Sequence, residues 1–508
     1  MALIRSTLPL SRRLASLTAY LLYAPASLAL NNGAALTPPM GFATWNGFQC
    51  DYDDALLRQV ADALVSNGLA AKGYEYVLVQ ECIVPAGARD PVTSVVIPNA
   101  TKFPRGLADL AAYFHGRGLK AGIYTDVMSV TCAGYEGSGP GPGRASHWPL
   151  DALTYAQWGF DMIEADFCGQ SGDGESAQQL YAHASAAIAA ASAATNRTIA
   201  FYMCNWGDAA PWKWAPEFAN LFRNTVDIQY IAGQCNFPFI LRNFDLTVAN
   251  SGTPPSRPGV PGTGIGAFND PDSKLPTGGE HRRTLNPTFT PARTPRRSPT
   301  SARALSPLSP HSAVHRLQGY LGHRVTDPVL ASSSRQEQPS QAHTDLNLTQ
   351  FSPRPLPVRL ATSAKPHSLW CILAAPLILG TDVRSASAYT LATIGNEEAI
   401  AIDQDPLGVQ GMAFTPAVSP PAANVSYYYK PLLPQGGAQS IALAVLNRGD
   451  EALPGQNFSL ADLGFAVTQR VAVRDIWAAT TSAPVQGSFV TRPIDSHEAL
   501  LLKLTPVT

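Results

Sequence analysis

Between Pro39 and about Cys204, short runs that are apolar throughout alternate with helical patterns, and this alternation leaves few folds open. The apolar runs are Met40 to Thr44, Tyr74 to Val79, Leu119 to Thr125, Phe160 to Ala165 and Ile199 to Cys204. Between them, Leu57, Val60 and Leu64 share one helical face behind the capping pair Asp53 and Asp54. Leu107, Leu110, Ala111 and Phe114 mark a second helix, stopped by Gly116 and Gly118. Asp151 to Trp158 and Glu175 to Ala194 read as two more. A strand with no polar face must be covered on both sides, which indicates a parallel sheet flanked by helices. More than four such units in succession predict a (β/α)8 TIM barrel, an α/β fold, rather than an open doubly wound sheet.

A barrel places its chemistry at the C-terminal ends of its strands. Polar residues follow the apolar runs in that position: Trp45, Gln80, Glu81, Tyr124, Asp126, Asp166, Asn205, Asp227 and the run Asn269 to Asp272. Two carboxyl groups suit glycoside hydrolysis. In the retaining form one attacks the anomeric carbon, while the other protonates the leaving oxygen and then deprotonates water. Alone, an aspartate at a strand end is more often a cap or a loop anchor.

The chain has 508 residues, more than one ordinary core holds. Apolar residues make up 45% and charged residues 14%, with a formal net charge of −1, so neither nucleic acid nor a membrane surface is an expected partner. Residues 1–30 read as a signal peptide: Arg5, Arg12 and Arg13 precede an apolar run, and Ser27-Leu28-Ala29 suits cleavage. The run is shorter than the roughly 20 residues of a membrane span, and Pro25 interrupts it. Export to the outside, or to a vacuole or lysosome, fits the seven cysteines and, weakly, sequons at Asn99, Asn196, Asn347, Asn424 and Asn457.

The barrel, residues 31–407, is interrupted over 276–366. Residues 281–335 carry nine arginines and one acid, Asp327. Such a composition predicts disorder. The segment reads either as a surface loop or as sequence absent from the working protein, such as translated intron, and the second is favoured. It displaces a helix that the barrel needs. From Gly408 to the end, Ile441-Leu443-Val445, Val471-Val473 and Leu500-Leu502-Leu504 alternate as half-buried antiparallel strands do, which predicts a β-sandwich.

Seven stretches resemble glycoside hydrolase family 27, which holds α-galactosidases and α-N-acetylgalactosaminidases. They are LTPPMGFATWNGFQC (36–50), GIYTDVMSVTCAGYEGS (122–138), DMIEADFC (161–168), FRNTVDI (222–228), FNDPDSKL (268–275), APLILGTDVRS (375–385) and AIDQDPLGVQG (401–411). The resemblance implies a retaining exo-glycosidase for terminal α-galactosyl groups on oligosaccharides or glycoconjugates. It makes Asp166 the nucleophile and Asp227 the acid/base. Arg223, Trp45, Tyr124 and Asp272 become sugar contacts, and Cys50–Cys82 and Cys132–Cys168 become disulfides, leaving Cys204, Cys235 and Cys371 unassigned.

At three positions the chain departs from the family. Gln80-Glu81 replaces an Asp pair, Glu164 replaces a Lys, and Asn205 replaces a Glu. These places normally grip sugar hydroxyls, so the identity of the sugar stays open. Glu164 also sets a negative charge near Asp166, which disfavours the ionised nucleophile. No Cys/His spacing argues for zinc and no Gly-rich phosphate loop occurs, so neither metal nor cofactor is expected. A homodimer stays open. The alternatives are an α-N-acetylgalactosaminidase or other α-glycosidase of the family, a non-catalytic carbohydrate-binding protein, and a product that cannot close its barrel.

Overall fold

The computed structural model describes Leu30 and residues 32–169, 174–228, 237–250, 267–272, 364–417, 424–434 and 439–507, all within one compact unit. The expected signal peptide up to residue 29, most of the segment 276–366, Asn347 and Cys235 lie outside the described residues.

Eight parallel strands form one curled sheet: β1 (Met40–Ala43), β2 (Tyr76–Val79), β3 (Lys120–Asp126), β4 (Met162–Asp166), β5 (Ala200–Met203), β6 (Leu221–Arg223), β7 (Phe268–Asp270) and β8 (Leu377–Leu379). Their order is β7-β6-β5-β4-β3-β2-β1-β8, so chain order and spatial order coincide around the sheet. The register sets Asp126 beside Asp166 and Arg223 beside Asp270.

The intervening helices are α1 (Thr44–Phe48), α2 (Asp54–Ser66), α3 (Leu107–Gly116), α4 (Trp148–Gln157), α5 (Ala177–Thr195), α6 (Phe237–Asn250), α7 (Ala364–Leu373), α8 (Ala388–Ile394) and α9 (Glu397–Asp403). Local chemistry starts several of them. Asp53 accepts the Leu56 amide at 2.8 Å, and Ser176 with Gln179 forms a capping box on α5. The expectation that the insert removes a needed helix is corrected. Helix α7 precedes β8, and its consecutive residues Leu369, Trp370, Cys371 and Ile372 are all buried, because neighbouring helices and the C-terminal sheet cover it on several sides.

Two apolar layers meet at the strands. Ala43, Leu78, Met162, Ala200, Leu221 and Ile378 form a separate cluster, while their chain neighbours Phe42, Val77, Ile163, Phe201, Phe222 and Leu377 are buried toward the helices. Alternation along a strand therefore identifies the first set as the filling of the barrel. Two residues further on, the same inward parity brings Gln80, Glu164 and Arg223 to the C-terminal mouth.

The last hundred residues form antiparallel strands: β9 (Met412–Phe414), β10 (Val425–Pro431), β11 (Ile441–Asn447), β12 (Asn457–Ser459), β13 (Arg470–Asp475), β14 (Thr480–Thr481), β15 (Val485–Gln486), β16 (Ser488–Val490) and β17 (Ala499–Val507). The larger sheet runs β14-β13-β17-β11-β10-β9 with β15 on β13, and β12 pairs with β16. Here the half-buried expectation is corrected, because β11 is buried at every position. Ile441, Leu443 and Val445 enter the sandwich core, whereas Ala442, Ala444 and Leu446 join the barrel's core. Central strands are covered on both faces where the sandwich packs on α7. No helix among the described residues is long and apolar enough to cross a membrane.

Candidate active site

Asp166 is the last residue of β4 and is 7% exposed. Its Oδ2 accepts the Tyr124 hydroxyl at 2.8 Å, and its Oδ1 accepts the Phe167 amide at 3.0 Å. The same Tyr124 oxygen lies 3.0 Å from Glu81 Oε1. Burial, then the negative charges of Asp166 and Glu81, hold the Tyr124 phenol well above its usual pKa, so it remains a donor.

Asp126, at the end of β3, is fully buried; its two oxygens accept the amides of Met128 at 2.7 Å and Cys168 at 2.8 Å. Burial and neighbouring Asp166 push its carboxyl up, against the pull of those two amides. Sequence reasoning placed Asp126 among strand-end residues but gave it no task. It ties the β3 loop to the chain just beyond Asp166.

The departures from the family pattern meet one another. Gln80 Nε2 donates to Glu164 Oε2, and Gln80 Oε1 accepts the Trp45 amide at 3.2 Å. Both side chains are buried, so the acceptor introduced at Glu164 turns toward Gln80. Trp45 itself is half-buried at the start of α1.

Arg223 ends β6 and is fully buried, a position a guanidinium tolerates only when paired. Its Nη2 lies 2.7 Å from Asp227 Oδ1 and its Nη1 3.3 Å from Asp272 Oδ1. Burial alone would lower its pKa, but Asp272 and Asp227 outweigh burial and hold it above its usual value. Asp272 sits at φ +73°, and its Oδ2 accepts the Ile228 amide at 2.7 Å. Asp227 is part-exposed, and its turn is thus pinned from both ends.

Asn205 follows β5, fully buried, with Nδ2 donating to the Asp208 carbonyl at 2.8 Å. The loop beyond it presses on β6: a Cβ on Gly207, at φ +87°, would stand 2.6 Å from the Asn224 carbonyl oxygen, so only glycine fits.

The disulfides Cys50–Cys82 and Cys132–Cys168 are present, and Cys204 and Cys371 are buried and belong to neither bridge. An ionic cluster missed by sequence reasoning braces the same loops. Arg89 grips Asp151 at 2.7 Å and Glu136 at 2.5 Å, and Arg144 reaches Glu136 at 2.9 Å. Charges this far apart in sequence carry no periodic signal. Among the described residues, the group of potential metal ligands that comes together is Asp126, Cys132 and Cys168, whose sulfurs are consumed in a disulfide.

The chain is similar in sequence and in fold to known proteins. Residues 37–277 match the family described as alpha galactosidase A, and residues 423–504 match the alpha galactosidase C-terminal beta sandwich domain. An alpha-galactosidase of Coffea arabica is 29% identical over 477 residues, covering 94% of this chain and 96% of that protein. An alpha-N-acetylgalactosaminidase of Gallus gallus is 27% identical over 466 residues, covering 88% of each. The crystal structure of alpha-galactosidase I from Mortierella vinacea superimposes with a TM-score of 0.67 at 23% identity, covering 94% of this chain and 98% of that one, a likeness of fold.

Proposed function

Because this chain belongs to glycoside hydrolase family 27, the α-galactosidase family, we propose that it is a retaining exo-glycosidase that hydrolyses terminal α-D-galactosyl groups by double displacement. The observation that carries this reading is the unequal setting of two carboxyl groups at the barrel mouth. Asp166 is buried and accepts a phenol hydrogen bond, while Asp227 is part-exposed and held by Arg223. Unequal environments suit unequal roles.

In the first step an Asp166 oxygen attacks the anomeric carbon and the glycosidic C–O bond breaks. The Asp227 carboxyl gives its proton to the departing oxygen. In the second step the Asp227 carboxylate takes a proton from water. The water oxygen bonds to the anomeric carbon, and the ester to Asp166 breaks. Tyr124 donates to the Asp166 carboxylate, and Arg223 fixes where Asp227 points. The buried fork of Arg223 loses little entropy in doing so. The substrate is an oligosaccharide or glycoconjugate. The two disulfides suit an oxidising compartment, in keeping with export.

A second reading, α-N-acetylgalactosaminidase, is favoured by the likeness to the enzyme of that name from Gallus gallus, 27% identical over 466 residues. Nitrophenyl α-galactoside and α-N-acetylgalactosaminide separate the two. Mass spectrometry after treatment with an activated fluoro-galactoside tests the mechanism. A galactosyl adduct on Asp166 is expected; an adduct on another residue, or none with a turned-over substrate, overturns it.

A further inference from the structure

Glu81 follows β2 at φ +52°, with Cys82 at φ +54° behind it, so two non-glycine residues in the left-handed region aim this carboxylate. The family resemblance makes Glu81 a sugar contact. Its hydrogen bonds assign it elsewhere. Oε1 accepts the Ala133 amide at 3.0 Å and lies 3.0 Å from the Tyr124 hydroxyl, and Oε2 accepts the Thr131 hydroxyl at 2.6 Å. Glu81 is 3% exposed, with both oxygens engaged by the β3 strand and its loop.

A phenol carries one proton, and two carboxyl groups face this one. The Ala133 amide can only donate, so Glu81 Oε1 keeps a partner when the Tyr124 proton turns away. That leaves the proton for Asp166 Oδ2, 2.8 Å off. A hydrogen bond to the charged form of a carboxyl favours that form. The acids and phenols around this trio are Asp126 on β3, Glu164 on β4, Tyr181 on α5, Tyr52 before α2 and Tyr135 in the β3 loop. In such acidic surroundings a fixed donor on Asp166 matters.

We propose that Glu81 is a positioning residue, anchored by Thr131 and Ala133, that steadies Tyr124 so its hydroxyl serves Asp166, and that it is not a grip on the sugar. This rests on Asp166 being the nucleophile. In the full-length enzyme, Glu81→Gln is expected to lower kcat about 10- to 100-fold while KM and the calorimetric Kd for galactose stay within about twofold. Tyr124→Phe is expected to do the same and to move the acid limb of kcat/KM to higher pH, since the carboxylate loses a donor. Because Glu81 acts through Tyr124, the double variant should be no more than about threefold worse than Tyr124→Phe alone. Thr131→Val, which frees one Glu81 oxygen and leaves that carboxylate in place, should show a milder version of the kcat loss and stands in should Glu81→Gln not fold. A tenfold or greater rise in galactose Kd with kcat retained, or effects of Glu81 and Tyr124 that multiply, overturns the proposal. The fluoro-galactoside adduct separates the two ideas: an adduct away from Asp166 refutes the nucleophile, whereas an adduct on Asp166 with a weakened galactose complex refutes only the role of Glu81.

Discussion

Gln80 and Glu164, on neighbouring parts of the barrel interior, are hydrogen-bonded to each other, the carboxamide Nε2 donating to the carboxylate, and both are shut off from solvent. Each departs from the pattern that the family resemblance implies, and the two side chains fit together. The amide supplies the donor that a second acid would lack. Its remaining oxygen is held by the Trp45 amide, so the carboxamide cannot turn around without setting two donors face to face.

It follows that Glu164→Lys alone brings an ammonium against the Gln80 amide in a closed space and should destabilise the fold by about 3–5 kcal/mol. Adding Gln80→Asp supplies a counterion and still leaves an oxygen for Trp45. The double variant should recover part of the loss, with a coupling of about 1–3 kcal/mol read from urea unfolding of the four proteins. Strictly additive losses would sink the pairing argument.

Arg223 is buried between Asp227 and Asp272. Arg223→Met leaves two carboxylates without their cation and should cost about 3–5 kcal/mol of stability. Arg223→Lys keeps the charge but loses the two-pronged grip, and kcat/KM should fall about 100-fold with a smaller loss of stability. Melting curves and steady-state kinetics on a nitrophenyl galactoside check both. Full activity in the Lys variant would refute the positioning of Asp227 by the fork.

His367, buried on α7 with no partner for either ring nitrogen among the described residues, is pushed down to about 4 by burial. The folded protein thus holds it neutral where the unfolded chain, titrating near 6.5, already binds a proton. Its contribution is complete above about pH 6.5 and is lost as pH falls toward 4, by about 3 kcal/mol. His367→Phe, beside Trp477, should flatten that part of the stability–pH curve in urea titrations. An unchanged slope between pH 6.5 and 4 would count against it.

Cys132–Cys168 joins positions 36 apart and sits between Ala133, which holds Glu81, and Asp166. Replacing both cysteines by alanine should lower stability by about 3–4 kcal/mol through the freed unfolded chain. A fall in kcat with little change in KM should accompany it, because the loop that orients Tyr124 loosens. Kinetics at a temperature well below the melt separates the two effects. A kcat equal to that of the parent would show the bridge to be structural only.

Most of the barrel was legible because its signals are local. Runs such as Tyr76–Val79 and faces such as Leu57, Val60 and Leu64 state their period within a few residues, and Asp53 announces the start of α2. The short strands β6 and β7 were legible only through the family resemblance, since three-residue strands carry too little alternation, and helix α6 was not read from the sequence. Likewise β11 reads as one-sided only if its second neighbour is ignored.

By itself, the order of residues determined the barrel, the appended sandwich, and the strand ends at which Asp166, Tyr124 and Gln80 emerge, because backbone geometry converts spacing directly into direction. Only the tertiary structure decided whom those side chains meet. Gln80 and Glu164 are 84 positions apart, and Tyr124 and Asp166 are 42 apart. A hydrogen bond depends on distance and angle through space, which curvature of the whole sheet sets and no local pattern encodes.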